Sequence, residues 1–285
     1  MTGSTRLAIV GATGRMGREL IEAATERDDV TVPVAASRTP EEGPVAGHAL
    51  DDVRDLQALY ERRNVDVLVD FTAPDASVEF VREAAETGVG AVVGTTGFDD
   101  EDFEVLDDVA QEVPLLRASN FSRGVQTLAA VVADAARALP HYDAEVIETH
   151  HNGKRDAPSG TAAMLVDEIE RARTRRAGQG EGEAGESGEG EGEAGESGQD
   201  EGGLDRVYGR EGDSPRSPDE IGVHSVRAGD VAGEHEVVLA GDNEVLSLSH
   251  RAGDRSIFAA GALDAARWID GRAPGQYDYQ EVLGL

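Results

Sequence analysis

The chain has 285 residues, 57 Asp plus Glu against 26 Lys plus Arg, a formal charge of -31 at pH 7 and no cysteine. That length suits one or two domains, and without cysteine there is no disulfide framework, thiolate nucleophile, Cys-ligated zinc or iron–sulfur cluster. So negative a chain repels phosphate backbones and anionic lipid, so neither nucleic acid nor a membrane is an expected partner. With no stretch of membrane-spanning length and no export leader, a cytoplasmic location is expected. Lys154 is the only lysine. Abundant carboxylates beside positive charge that is nearly all arginine read as a halophilic composition, since screening over ~3 Å at about 1 M salt makes self-repulsion tolerable.

From the N-terminus, the apolar runs at 7–10, 32–36, 67–71, 91–93 and 115–116 are continuous rather than alternating. That is the pattern of parallel strands buried on both faces, and helical patterns over 75–87 and 99–112 supply the crossovers. The expected fold class is α/β, with a Rossmann-type doubly wound parallel sheet over residues 1–121 as a dinucleotide-binding domain. A second, smaller α/β domain with a mixed sheet is expected over 122–255, for substrate binding and oligomerisation. Its signals are a helix over 125–139, a strand over 143–149, a helix over 161–176, and alternating segments at 221–227, 234–240 and 244–250 that read as neighbouring strands. A closing helix over 259–269, within 256–285, is expected to pack back on the first domain. Residues 177–203 hold 11 of the 35 glycines, nine acidic side chains and two copies of EGEAGESG. They contain nothing apolar larger than alanine and read as a disordered acidic insertion.

Directly after the first strand, Gly11-Ala12-Thr13-Gly14-Arg15-Met16-Gly17 opens a helical pattern. Glycines there permit a tight turn and close backbone approach, and the helix N-terminus offers amides and a positive dipole end to a pyrophosphate. Thr13 stands where GxGxxG has its second glycine, so a plain strand-to-helix turn is the alternative. At the end of the second strand, Ser37 and Arg38 replace the usual ribose-binding carboxylate. Arginine pairs with a 2′-phosphate, which favours NADPH over NADH. The loops Gly94-Thr95-Thr96-Gly97 and Ala118-Ser119-Asn120-Phe121-Ser122 also lie at strand C-termini, where small residues suit passage of the nicotinamide ribose and ring.

The segment from Glu148 through His150, His151 and Lys154 to Ser159, Gly160 and Thr161 follows a strand and precedes a helix. It sets proton-transfer groups beside amides and hydroxyls able to grip a carboxylate. Adjacent histidines on an extended segment point to opposite faces, so no metal site is expected. Lys154, Arg155 and Arg255 are the candidates for a cationic pocket in this acidic chain.

Together with Asp70-Phe71-Thr72, these motifs resemble the 4-hydroxy-tetrahydrodipicolinate reductase (dihydrodipicolinate reductase) family. The likeness continues into His224-Ser225-Val226-Arg227, Gly233-Glu234-His235 and residues 250–268, and omits the acidic insertion. It implies a cytoplasmic oxidoreductase of lysine and diaminopimelate biosynthesis, a homotetramer built through the second domain's sheets. The reaction implied is hydride transfer from NADPH or NADH to a cyclic imine dicarboxylate, with loss of water, giving tetrahydrodipicolinate. By the family pattern Gly11, Ala12, Thr13, Gly14, Arg15 and Met16 cradle the dinucleotide and Arg38 meets its adenosine end. Gly94, Thr95, Thr96, Ala118, Ser119, Asn120 and Phe121 line the nicotinamide side. His150 and Lys154 become the proton-transfer pair, His151 a substrate contact, and Ser159, Gly160 and Thr161 the carboxylate grip. Two other readings stand beside this one: a different two-domain reductase or dehydrogenase, acting on homoserine or an aldehyde, and a nucleotide-sensing binding protein. His150 and Lys154 argue against a sensor, which needs no proton donor.

Overall fold

The computed structural model describes residues 3–40, 43–177 and 204–285. The acidic insertion lies outside the described residues, apart from Ala177, which ends a helix. In chain order the strands are β1 (Thr5–Val10), β2 (Val30–Ser37), β3 (Asp51–Asp52), β4 (Val67–Asp70), β5 (Gly90–Val93) and β6 (Pro114–Arg117). They continue as β7 (Asp143–His150), β8 (Asp205–Tyr208), β9 (Glu220–Arg227), β10 (Glu234–Ala240), β11 (Val245–Arg251) and β12 (Gly275–Tyr277). The helices are α1 (Arg15–Thr25), α2 (Leu56–Arg63), α3 (Pro74–Glu86), α4 (Asp100–Glu112), α5 (Arg123–Ala138), α6 (Gly160–Ala177), α7 (Ser256–Ile269) and α8 (Tyr279–Leu283). Two compact units divide the chain, Met1–Thr127 with Ala252–Leu285, and Leu128–Arg251. The division falls inside α5, a few residues past the boundary expected from the sequence.

The first unit is a seven-stranded sheet in the order β12-β6-β5-β4-β1-β2-β3, every pairing parallel. Strand order reverses between β1 and β4, the switch point at which open α/β sheets bind ligands. Because all the strands are parallel, the loops after β1, β2, β4, β5 and β6 leave from one edge. The short strands read as apolar runs because both faces are covered. Leu20 and Ile21 of α1 with Leu263 and Ile269 of α7 bury one face. Leu56 and Tyr60 of α2, Phe80 of α3 and Leu106 of α4 bury the other. The return of α7 is secured by ion pairs and a hydrogen bond: Asp264 meets Arg27 at 2.8 Å and also takes Arg123, while Thr5 Oγ1 donates to Asp270, just past the helix, at 2.8 Å.

The second unit is a mixed five-stranded sheet in the order β11-β10-β7-β9-β8. The segments 221–227 and 234–240, expected as neighbours, are separated by β7, which pairs parallel with β9 and antiparallel with β10. The connection from β9 to β10 therefore crosses the end of β7, where Ala228 N–H donates to His150 O at 2.9 Å and Asn152 N–H to Gly229 O at 3.1 Å. Leu128 and Val132 of α5 with Leu165 and Ile169 of α6 pack on Val146 and Val237, so only alternate residues of β7 and β10 are buried.

Helix α1 sits unusually close to the turn that precedes it. A Cβ at Gly17 would fall 2.2 Å from Gly11 O and 2.8 Å from Ala12 Cα, both backbone atoms without room to yield. Gly17→Ala is accordingly expected to displace α1 and cost about 1–3 kcal/mol, read as a lower thermal midpoint. An unchanged midpoint would contradict this packing.

Candidate active site

In the first unit, Gly11 adopts φ +67° and its carbonyl accepts Gly14 N–H at 2.8 Å, turning β1 into α1. Gly14 caps the helix without a side chain and no acidic residue enters the first turn. The first turn thus sets no carboxylate of its own on the leading amides, an arrangement that fits a dinucleotide pyrophosphate. Ala12 is buried, Thr13 and Met16 are half-buried, and Gly14 and Arg15 are exposed. At the end of β2, Ser37 is buried, its Oγ accepting Thr39 N–H at 3.1 Å and lying 3.1 Å from Thr13 Oγ1. Its register partner on β3, Asp52, is bound to Arg54, while Arg38 is exposed at this edge. The edge thus presents a guanidinium.

Asp70 ends β4 beside the switch point with no solvent exposure. It accepts from Thr72 N–H at 3.0 Å, Thr72 Oγ1 at 2.6 Å, Thr95 Oγ1 at 3.1 Å and Ser77 Oγ. Burial raises its pKa, and the hydroxyl donors work against that rise. Asp70 thereby pins the loops after β4 and β5. Since the Thr95 hydroxyl is turned to Asp70, Thr95 offers a ligand its backbone, whereas Thr96 is exposed beside it. In the loop after β6, buried Asn120 accepts Ser122 N–H through Oδ1 at 2.8 Å, and Phe121 packs between Phe71 and Tyr279 with both centroids at 5.3 Å. Ser119 is exposed and Ala118 half-buried at the same edge.

In the second unit, Ala144, Val146, Glu148 and His150 occupy the helix-facing side of β7, with two polar residues where the alternation calls for apolar ones. Glu148 has no solvent exposure. Its Oε2 lies 2.5 Å from His150 Nδ1 and accepts Arg227 Nη1 at 2.9 Å. Its Oε1 accepts Arg227 Nη2 at 2.8 Å and Ser159 N–H at 3.2 Å. Burial alone would raise the Glu148 pKa, but Arg227 and His150 outweigh it and hold it at about 2. Ser159 Oγ accepts Ala162 N–H at 3.2 Å as α6 begins and lies 3.1 Å from His235 Nε2, and the His235 ring meets His150 edge to face at 5.1 Å.

Lys154 Nζ pairs with Asp156 at 2.8 Å, and its backbone N–H donates to His151 O at 3.1 Å. His151 and Thr161 are half-buried and Gly160 exposed at the head of α6. Of the expected cationic trio, Arg155 is exposed and Arg255 belongs to the first unit, where it caps α7. The cation that meets the buried carboxylate is Arg227, to which the residue pattern assigned no role. The sequence pattern likewise assigns no task to Glu148 and His235, although Glu148 and His150 at i and i+2 on a buried strand face are a legible signal. Among the described residues no group of three or more His, Asp or Glu is placed to hold a metal ion.

Burial is the first cause of lowered pKa values at His150, His235 and His250, with His235 at about 4. A group depressed in the folded state contributes stability that is present above its unfolded pKa and lost as pH falls through the folded one. The second unit is therefore expected to weaken from 6.5 toward about 4, before Glu148, at about 2, takes a proton. In constant high salt the urea midpoint should fall between about pH 7.5 and about pH 5, and fall less in His235→Gln. Equal midpoints in the wild type would contradict the burial of neutral histidines.

The sequence profile described as "Dihydrodipicolinate reductase, N-terminus" matches residues 5–121, and "Dihydrodipicolinate reductase, C-terminus" matches residues 124–283. The 4-hydroxy-tetrahydrodipicolinate reductase of Haloarcula marismortui is 45% identical over 284 residues, covering 98% of this chain and 99% of its own. That of Natronomonas pharaonis is 44% identical, covering 97% and 99%. A solved dipicolinate-bound dihydrodipicolinate reductase from Paenisporosarcina sp. TG-14 shares the fold, with a TM-score of 0.70 and 24% identity over 96% of this chain and 97% of that one. The chain belongs to the dihydrodipicolinate reductase family.

Proposed function

We propose that this chain reduces 4-hydroxy-tetrahydrodipicolinate to tetrahydrodipicolinate, with a nicotinamide cofactor as reductant and loss of water. The observation that carries the reading is the Glu148–His150–Ser159 arrangement, a proton-exchanging imidazole tied to the head of a helix able to grip a carboxylate. It sits in a chain 45% identical to a reductase of that name.

The first unit holds the dinucleotide, with Gly11 to Met16 and the leading amides of α1 around the pyrophosphate and Gly94 to Thr96 and Ala118 to Phe121 around the nicotinamide. Bound there, the reduced cofactor supplies a hydride. Arg38 at the β2 edge favours the 2′-phosphate of NADPH, because Asp52, the register partner of Ser37 at this edge, is bound to Arg54 rather than open to a ribose diol.

The second unit holds the substrate. Gly160, Thr161 and the first amides of α6 take one carboxylate. Lys154, leaving Asp156, meets the charge of the dianion, and His151 adds a further contact. Hydride arriving at a conjugated imine pushes an electron pair onto the ring, and His150, with Lys154, supplies the proton that quenches it. Although burial lowers the His150 pKa, two substrate carboxylates brought beside it favour its protonated form. The sheet face away from α5 and α6 carries half-buried Ile147 and Val238 with exposed Val226 and Val245, which suits assembly of a homotetramer through this unit. A cytoplasmic place of work goes with this biosynthetic reading; among the described residues no helix is long and apolar enough to cross a membrane.

Lys154→Ala is expected to lower kcat by about 10²–10⁴-fold while NADPH affinity stays within about threefold. Wild-type turnover would contradict the proposal. Arg38→Ala should raise KM for NADPH by about 10–100-fold with little change for NADH. Equal effects on both cofactors would show that Arg38 does not read the phosphate.

A further inference from the structure

Naming His150 as a proton donor does not say which ring nitrogen works or what holds the ring. Glu148 precedes it by two residues on β7, so both side chains leave the same strand face. The carboxylate, held ionised by the bidentate Arg227, can only accept. The 2.5 Å contact therefore runs from His150 Nδ1–H to Glu148 Oε2, and Nε2 is left to exchange protons. Nε2 faces Gly233, where a Cβ would stand 3.1 Å away, so the glycine keeps the approach to that nitrogen open. The second Glu148 oxygen accepts the Ser159 N–H, the first amide of the stretch expected to grip a carboxylate. One carboxylate with no exposure to water thus touches both halves of the site. The charged and titratable groups facing His150 are Glu148 on its own strand, Arg227 on β9, His235 on β10 and Lys154 on the intervening loop.

We propose that Glu148 is a positioning residue of the reduction: it holds His150 with Nδ1 protonated and Nε2 free for the substrate, and through Ser159 N–H it keeps the head of α6 in register with that nitrogen. The inference rests on the reading of His150 as the proton donor. Glu148 neither gives nor takes a proton in the step. His150, protonated on both nitrogens, releases the Nε2 proton to the reduced ring as its electron pair forms the new bond to hydrogen. The neutral imidazole that remains keeps Nδ1–H on Glu148. Arg227 is the counter-charge that keeps Glu148 an acceptor throughout.

Nitrogen-15 NMR of histidine-labelled protein in high salt, without cofactor, reads the tautomer directly. Neutral His150 is expected as Nδ1–H, and an Nε2–H tautomer overturns the proposal. Glu148→Gln removes the charge and keeps the shape. The His150 pKa should then fall, since the charged acceptor that favours the imidazolium is gone while the Arg227 charge stays. The kcat should drop by about 10–100-fold with KM for NADPH unchanged, and the limb of the kcat profile that reports His150 should move to lower pH. Wild-type kcat with an unmoved limb overturns the proposal. Gly233→Ala crowds Nε2 without removing any Glu148 donor, so it tests the same claim if Glu148→Gln fails to fold. A kcat loss with the Nδ1–H tautomer retained supports Nε2 as the working nitrogen, and full turnover overturns it. Full turnover in His150→Gln would remove the donor reading itself, whichever tautomer is seen, and the proposal would fall with it.

Discussion

A carboxylate cut off from water must be met by donors, and in the second unit that requirement at Glu148 dictates where everything else goes. Arg227 must come from the neighbouring strand, Ser159 must bring its amide at the head of α6, and His150 must turn Nδ1 inward. Lying on alternate residues of one strand, Glu148 and His150 occupy a face otherwise filled by Ala144 and Val146, so the packing that buries the core also buries the charge. The loop from β9 to β10 crosses the end of β7 and places Gly233 beside His150 Nε2. Removing Arg227 would leave an uncompensated buried charge, so the pair is better understood as a determinant of one arrangement than as a source of stability.

The first unit repeats the device with another outcome. Asp70 is as buried as Glu148 and stands at the end of a central strand, but its donors are hydroxyls and an amide rather than a guanidinium. Burial then prevails and its pKa rises, whereas at Glu148 the cation prevails and the pKa falls to about 2. Asp70 accordingly serves to gather the loops at the ligand edge of the sheet, and Glu148 serves to hold a proton on a defined nitrogen of its neighbour.

Much of this was legible in the sequence because it rests on local pattern. Continuous apolar runs such as 67–71 and 91–93 mark strands covered on both sides, and Gly11 before Gly14 and Gly17 marks the turn into α1. Elements with weak or short signals escaped: α2 shows only Leu56, Leu59 and Tyr60 at helical spacing before left-handed Asn64 stops it, and β3 and β12 are two and three residues long. Strand order in the second unit was not readable either, since alternation says which face a residue takes and not which strand lies beside it. Arg227 and His235 are far from Glu148 and Ser159 in the chain, and only the insertion of β7 between β9 and β10 brings them together. His150, Lys154 and the Ser159-Gly160-Thr161 stretch, by contrast, lie within one loop and its flanks, so proton-transfer groups beside an anion grip could be proposed there without knowing the strand order.

The proposed reduction delivers a hydride to a cyclic imine dicarboxylate in a strongly acidic protein whose only lysine, Lys154, lies between β7 and α6. Incubation in high salt with freshly generated 4-hydroxy-tetrahydrodipicolinate and NADPH deuterated at the transferable position, followed by mass spectrometry of the product, tests it most directly. Tetrahydrodipicolinate carrying a single deuterium, formed in step with cofactor oxidation, is the result this account predicts. Cofactor bound and the protein folded, with no deuterium reaching the dicarboxylate, would contradict it.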